Sequence, residues 1–328
     1  MSHLSEVRRR RKKKRLLLSL FLIIITSASF SYFTLNKIFL KKPSPSPSVL
    51  SQISEKSSTT PIPSLVPSHA VADSQTSFSD IVSSALSGSR GTYSVAFENL
   101  KTGERYYLNE HESYESGSLY KLWVMATVYN QIKNGILNED DILSEDIPVL
   151  NKKFYITPEN AEKTEGEITL SVADALSQMI TISDNYSALL LTEKIRLSHL
   201  ASFLKENGFT ESSVGTTGND PATTAYDAAL FFKKLYQGEL NEPHYTDKML
   251  NLLKAQKLNN KIPKYLSKDI TIAHKTGEIY GFSHDAGIVY TENGDYIISL
   301  FSESNNPILA EERIATLSKA VYTYLTAL

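Results

Sequence analysis

The order in which hydrophobic periods change along the chain restricts its fold more than any other feature. Tyr93, Val95 and Phe97 alternate with polar residues, Asn99 to Gly103 has turn composition, and 106–108 runs back, so this segment predicts a β-hairpin. From Ser118 the spacing becomes helical: Leu119, Leu122, Met125, Val128, Tyr129 and Ile132 share a face until Gly135 stops the run. Helical patterns continue at about 170–181, 185–195, 197–207, 223–237 and 246–256. Strand patterns then return at 270–275, 286–290 and 296–301, and Ile314, Leu317, Val321 and Tyr324 mark one face of a closing helix. This order predicts an α+β fold, with an antiparallel sheet in which N- and C-terminal strands meet and an all-helical subdomain inserted between them.

That region, 78–328, has the size of one domain. Three segments precede it. Residues 1–15 form a basic tail that holds Arg8 to Arg11, Lys12 to Lys14 and Arg15. Leu16 to Asn36 is a 21-residue stretch without a charge, long enough to cross a hydrocarbon core of about 30 Å as a helix. The basic block before it predicts a cytoplasmic N-terminus, so the chain is expected at the cell membrane as a single-pass protein with its folded domain outside. A cleaved signal peptide is the rival reading, with small residues at Ser27-Ala28-Ser29. Phe30, Tyr32, Phe33 and Leu35 prolong the apolar run past that point and favour a retained anchor. Residues 37–77 turn rich in Ser, Pro and Thr, with SPSPS at 44–48 and TTPIPS at 59–64, and read as a linker.

Charge follows the same division. Eleven of the 34 basic side chains but only one of the 36 acidic ones lie in residues 1–42, which leaves the rest of the chain at about −12. A body that acidic lacks the clustered cations that phosphate backbones need, so nucleic acid is not expected as a partner. With no cysteine there is no disulfide framework, thiolate metal site or cysteine nucleophile.

The remaining nucleophile candidates are serines. A serine hydroxyl needs a neighbouring base, and a lysine serves if burial or nearby cations suppress its charge. Ser and Lys three residues apart on a helix lie one turn apart on one face. Two such pairs occur, Ser118/Lys121 and Ser202/Lys205. Ser202 and Lys205 sit on a polar-faced helical segment and read as solvated. Ser118 opens an apolar helix, where it is either the helix N-cap or a nucleophile placed where free N–H groups favour developing negative charge. Thr181-Ile182-Ser183-Asp184-Asn185 separates two helical patterns, so Ser183 and Asn185 can project into a cleft while Asp184 caps the next helix. His274-Lys275-Thr276-Gly277 ends a strand pattern, with a cation, a hydroxyl and a residue without side chain lining a groove.

The ordered set Ser118-x-x-Lys121, Ser183-Asp184-Asn185 and Lys275-Thr276-Gly277 resembles the penicillin-recognising serine acyltransferases, and most closely the class A β-lactamases and their relatives. The resemblance covers about 78–328, including ITISDNYSALLL at 180–191 and DPATTAYDAALFFKKL at 220–235. It implies the β-lactamase/transpeptidase-like fold and a hydrolase acylated on Ser118 by a β-lactam or a peptidoglycan-type substrate. It further implies Lys121 as proton acceptor, Ser183 as proton relay to the leaving nitrogen, and Asn185 as the holder of the substrate's side-chain amide. Lys275 and Thr276 would receive the substrate carboxylate beside Gly277, and the backbone N–H groups of Ser118 and Glu278 would form an oxyanion hole. No cofactor or metal is implied. His274 and His284 flank the proposed cleft without metal-ligand spacing and read as packing or hydrogen-bonding residues.

One departure from the family pattern divides the expected reactions. Class A enzymes carry a glutamate on a long loop after the Ser-Asp-Asn turn, which positions the deacylating water. Here 208–224 is short, with Glu211 its only glutamate and Asp220 its only aspartate, and both read as turn or cap residues. The resemblance still implies opening of a β-lactam amide, but without a base to activate water deacylation would be slow. The alternatives are a D,D-peptidase or esterase with slow deacylation, or a sensor that binds without turnover.

Overall fold

In the computed structural model, residues 77–215 and 220–327 are described. The basic tail, the 16–36 anchor and the linker up to residue 76 lie outside the described residues. Among the described residues, no helix is long and apolar enough to cross a membrane.

The sheet has five antiparallel strands: β1 (Thr92–Asn99), β2 (Arg105–Leu108), β7 (Ile272–Ile279), β8 (Phe282–Val289) and β9 (Tyr296–Glu303). Their order is β2-β1-β9-β8-β7, so the N-terminal hairpin joins the C-terminal strands through β1 and β9, with Val95 opposite Leu300 and Phe97 opposite Ile298. Because successive side chains on a strand face opposite ways, these strands supply two cores. Val95, Phe97, Ile298 and Leu300 enter one core; Ala96, Ile297 and Phe301 enter the other.

Helices α1 (Phe78–Leu86) and α9 (Pro307–Ala327) cover the first core through Phe78, Val82, Ile314, Leu317 and Val321. Helix α1 precedes the hairpin that the sequence placed at the start of the domain. Its Phe78 ring stacks on Phe97 at 4.3 Å between centroids, and Ser77 and Asp80 close a capping box at its N-terminus. That anchor is short and sits directly after the Ser/Pro/Thr-rich stretch, which masked its periodicity.

The second core belongs to the helical half: α2 (Lys121–Lys133), α4 (Val172–Thr181), α5 (Asn185–Ile195), α6 (Leu197–Glu206), α7 (Ala225–Tyr236) and α8 (Pro243–Lys254). Helix α2 is its axis, with Leu122, Trp123, Val124, Met125 and Ala126 in succession without exposed surface. A helix that is apolar on every side must be surrounded, and its neighbours in the cluster include Leu176, Leu191, Phe203, Phe231 and Met249. The predicted fold class stands, with one refinement to the inserted half. It also carries α3 (Ile147–Lys153) and two short ribbons, β4 (Ile142–Asp146) with β5 (Glu167–Ser171), and β3 (Tyr114–Glu115) with β6 (Ala222–Thr223). Only Leu143 is buried along β4, where Ile142 and Leu143 are adjacent rather than alternating, and the short alternation of Ile168 and Leu170 in β5 runs straight into the helical pattern of α4.

Candidate active site

The proposed nucleophile sits on a tight turn. Gly117–Tyr120 is a single 3-10 turn, and α2 begins at Lys121, so Ser118 lies in that turn, three residues before the first residue of the α-helix. The turn is fixed from its N-terminal side. Ser116 N–H donates to the Pro221 carbonyl at 2.8 Å, and Tyr114 and Glu115 pair with Thr223 and Ala222.

Two glycines let this turn approach strand β7. Gly117 adopts φ +51°, and a Cβ there would come within 2.6 Å of the Glu278 backbone nitrogen. From the other side, a Cβ on Gly277 would meet the Ser116 carbonyl oxygen at 2.5 Å. Any side chain at either position would force the two backbones apart. The backbones of Ser118 and Glu278 are neighbours because both positions are glycine. Gly117 had a legible signal, a glycine immediately before the serine, but only Gly277 belonged to a motif.

On α2, one turn beyond Ser118, Lys121 is buried without exposed surface. Its ammonium donates to the Ser183 carbonyl at 2.6 Å, to Ser183 Oγ at 3.3 Å and to Asn185 Oδ1 at 2.7 Å. Burial lowers its pKa to about 7, against the opposing pull of the Asp184 and Glu162 carboxylates. From β7, the equally buried Lys275 donates to Ser183 Oγ at 2.9 Å and to the Thr276 carbonyl at 3.0 Å. Its pKa is also driven far down, first by burial and then by the charge of Lys121. A single hydroxyl, Ser183 Oγ, thus links the two lysines.

That hydroxyl is held in place by a strained turn. Ser183 has φ +61°, a left-handed conformation that costs a non-glycine residue energy. Asp184 stabilises the turn on both sides: its carboxylate accepts from Ser187 N–H at 2.7 Å as the cap of α5, and its own N–H donates to the Gln178 carbonyl at 3.1 Å. The capping role expected of Asp184 is the one it has.

Of the residues singled out, hydrogen bonds join Lys121, Ser183, Asn185 and Lys275 directly. Thr276, Gly277 and Glu278 follow on β7 against the Ser118 turn, with the Thr276 side chain almost fully buried. The Glu278 side chain pairs with Lys261, a lysine without exposed surface. Lys261 was not singled out, since it stands in a polar stretch, 257–264, that reads as solvated.

The two histidines are occupied by protein partners, as expected of hydrogen-bonding residues. His274 Nδ1 meets Asp285 Oδ1 at 2.9 Å and its Nε2 meets Asn259 Oδ1 at 3.0 Å, while the other Asp285 oxygen accepts from Ile262 N–H at 2.9 Å. His284 accepts from Ser302 N–H through Nδ1, donates through Nε2 to the Glu115 carbonyl at 2.9 Å, and stacks on Phe301. Burial pushes its pKa down to about 3, so its ring is neutral at working pH. The bond to Glu115 carries this strand's geometry to the segment just before Ser118.

Glu211 is engaged at the base of α7. Its carboxylate accepts from Thr224 Oγ1 at 2.8 Å and meets His111 Nδ1 at 2.8 Å. Thr224 is the N-cap of α7, so Glu211 supports a cap, as its turn-like surroundings suggest. Asp220 is exposed. A carboxylate outside every motif does reach the site: Glu162, between α3 and β5, accepts from Asn185 Nδ2 at 2.6 Å.

A family model described as the beta-lactamase enzyme family matches residues 77–325. The chain belongs to the beta-lactamase enzyme family. Among individual relatives, beta-lactamase BRO-1 of Moraxella catarrhalis is 28% identical over 211 residues, which cover 58% of this chain and 63% of that protein. Solved structures share the family fold across nearly their whole length. The beta-lactamase from Sphaerobacter thermophilus DSM 20745 superposes with a TM-score of 0.67 at 20% identity, covering 76% of this chain and 97% of its own. The protein called PBP-A superposes with a TM-score of 0.66 at 23% identity, covering 76% of this chain and 96% of its own. A PBP-A variant with the same TM-score was solved as an acyl-enzyme complex with penicillin G.

Proposed function

We propose that this chain is a serine hydrolase that opens β-lactam amides through an acyl-enzyme on Ser118, working outside the cytoplasmic membrane on a tether formed by residues 16–77. The observation that carries this reading is the Ser183 hydroxyl shared between two buried lysines, one of them a turn away from Ser118 and with its pKa near neutrality.

The steps follow from these contacts. A neutral Lys121 amine takes the proton of Ser118 as Oγ bonds to the carbonyl carbon, so the base is available at neutral pH without being solvated. Charge develops on the carbonyl oxygen, where the adjacent N–H groups of Ser118 and Glu278 can donate to it. As the C–N bond breaks, Ser183 Oγ–H passes a proton to the leaving nitrogen and recovers one from the ammonium that faces it. Asn185 offers an N–H to the acyl side-chain carbonyl, and Lys275 with Thr276 receives the substrate carboxylate. The acyl-enzyme then awaits water.

The second reading, a penicillin-binding D,D-peptidase or esterase with a long-lived acyl-enzyme, is favoured by Glu211. The only glutamate of the short 208–224 connection is committed to Thr224 and His111. The penicillin acyl-enzyme of the PBP-A variant is a precedent within this fold. Incubation with a labelled penicillin, followed by intact mass and peptide mapping over time, tests both. Hydrolysed product with catalytic turnover supports the lactamase; a stoichiometric adduct on Ser118 that persists supports the peptidase or a non-hydrolytic sensor. A folded protein that gains no adduct on Ser118 refutes both.

A further inference from the structure

Resting on that reading of the site, one more residue takes part. Glu162 belongs to the connection between α3 and β5, 23 positions before Asn185 in the chain. Its approach to Asn185 is built in. The next residue, Lys163, is clamped by Tyr186, the neighbour of Asn185: Lys163 N–H donates to Tyr186 Oη at 3.1 Å, and Tyr186 Oη donates to the Lys163 carbonyl at 2.7 Å. Asn151 Nδ2 donates to the same carbonyl at 2.8 Å, and Tyr186 is almost fully buried. The clamp that fixes residue 163 therefore hangs on the same helix turn that carries Asn185.

The side-chain amide of Asn185 is thereby oriented by two charged partners of opposite sign. A carboxylate can only accept, so it faces Nδ2; a lysine ammonium can only donate, so it faces Oδ1. Glu162 takes Nδ2 at 2.6 Å, and Lys121 takes Oδ1 at 2.7 Å. The amide has a second N–H, which remains for a substrate carbonyl. We propose that Glu162 is a positioning residue for acylation, whose carboxylate holds the Asn185 amide with Oδ1 turned to Lys121 and whose charge acts on that lysine across the amide.

The charges around Lys121 come from three elements. Asp184 faces it from the turn before α5, Glu162 from the α3–β5 connection, and Lys275 from β7 across Ser183 Oγ; Tyr120 is the ionisable neighbour in its own turn. The two carboxylates oppose the effect of burial and favour the ammonium. Removing the charge of Glu162 should leave Lys121 easier to deprotonate. Glu162→Gln keeps an acceptor for Asn185 Nδ2 while losing the charge, and Glu162→Ala loses both.

The test titrates Lys121 in the full chain by NMR of carbon-labelled lysine side chains, with the resonance assigned from Lys121→Arg, alongside the pH profile of acylation by a labelled penicillin. In E162Q the Lys121 titration and the acid limb of acylation should both move down by ~0.5 pH unit, with the plateau rate close to wild type. In E162A the same shift should come with a plateau lowered about tenfold, as the amide loses its orientation. Thermal melts establish that each variant is folded. If both variants titrate within about 0.1 unit of wild type and acylate equally fast, Glu162 is only a loop anchor and the proposal is overturned. A wild-type protein that never acylates, yet shows the E162Q titration shift, would instead refute the function assigned to the site and leave the Glu162 contact in place.

Discussion

Replacing Gly117 by alanine should damage the site through backbone displacement alone, and the cost can be built from the geometry. At φ +51° an L-residue loses about 1–2 kcal/mol relative to glycine. The new Cβ would also lie 2.6 Å from Glu278 N and 3.1 Å from both Glu278 C and Gly277 C, all backbone atoms that no side-chain rotation can clear. Restoring ordinary contact needs a separation of roughly 0.8 Å between the Ser118 turn and β7, and overpacking of that kind costs about 1–3 kcal/mol. Together these predict a loss of about 2–5 kcal/mol. The same displacement separates the N–H groups of Ser118 and Glu278, so acylation should slow by about 10²-fold or more. Gly103→Ala is the control. Gly103 has φ +77° in the β1–β2 turn, at the opposite edge of the sheet from β7, and a methyl group there would meet nothing within 4 Å. It should lose only the backbone cost of about 1–2 kcal/mol and acylate normally. Urea denaturation and stopped-flow acylation of both variants decide the matter. If Gly117→Ala acylates within about threefold of wild type and loses no more stability than the control, close approach to β7 is not what requires glycine at this position.

Other outcomes follow from the buried ionisable groups. Acylation should rise with pH through an acid limb near 7, the pKa of Lys121, and Lys121→Ala should lose both the limb and orders of magnitude in rate, measured as a pH profile of adduct formation. His284 has a folded pKa of about 3, depressed below its ordinary value of 6.5, so the unfolded chain binds the extra proton. Its contribution is whole above 6.5 and declines as pH falls towards 3, by about 3–5 kcal/mol at the lower end; His284→Gln should flatten that part of a stability–pH curve measured by denaturant unfolding. Glu211→Ala should weaken the Thr224 cap and lower the melting temperature, while the lifetime of a penicillin adduct stays as in wild type.

Period and motif spacing carried much of the fold and part of the site. The strands at β1, β7, β8 and β9 and the central helices were legible through their apolar side chains, although the strands are covered on both faces and α2 on every side. The β4–β5 ribbon was not, since β4 buries only Leu143 and the two-residue alternation of β5, Ile168 and Leu170, merges with the helical pattern that follows. Helix α1 depends on Phe78 and Val82 alone for its buried face, too few positions to register as a pattern. Within the site, Ser118, Lys121, Ser183, Asn185 and Lys275 stood out because reactive groups recur at short spacings on recognisable elements. Lys261 and Glu162 reach their partners from connections, across 17 and 23 residues, where nothing local distinguishes them from solvated side chains. Gly117 was visible as a glycine, but its purpose exists only where β7 crosses the turn.

Acylation of Ser118 by a β-lactam, with Lys121 as the base, underlies every step proposed for this site. Mass spectrometry of the full chain after exposure to penicillin, with Ser118→Ala in parallel, decides whether it occurs. The expected result is an increment equal to one penicillin on the Ser118 peptide, present during turnover or persisting after it, and absent from a Ser118→Ala protein whose melting temperature is nearly unchanged. An adduct that survives Ser118→Ala, or a folded wild-type protein that never carries one, would show that Ser118 is not the nucleophile.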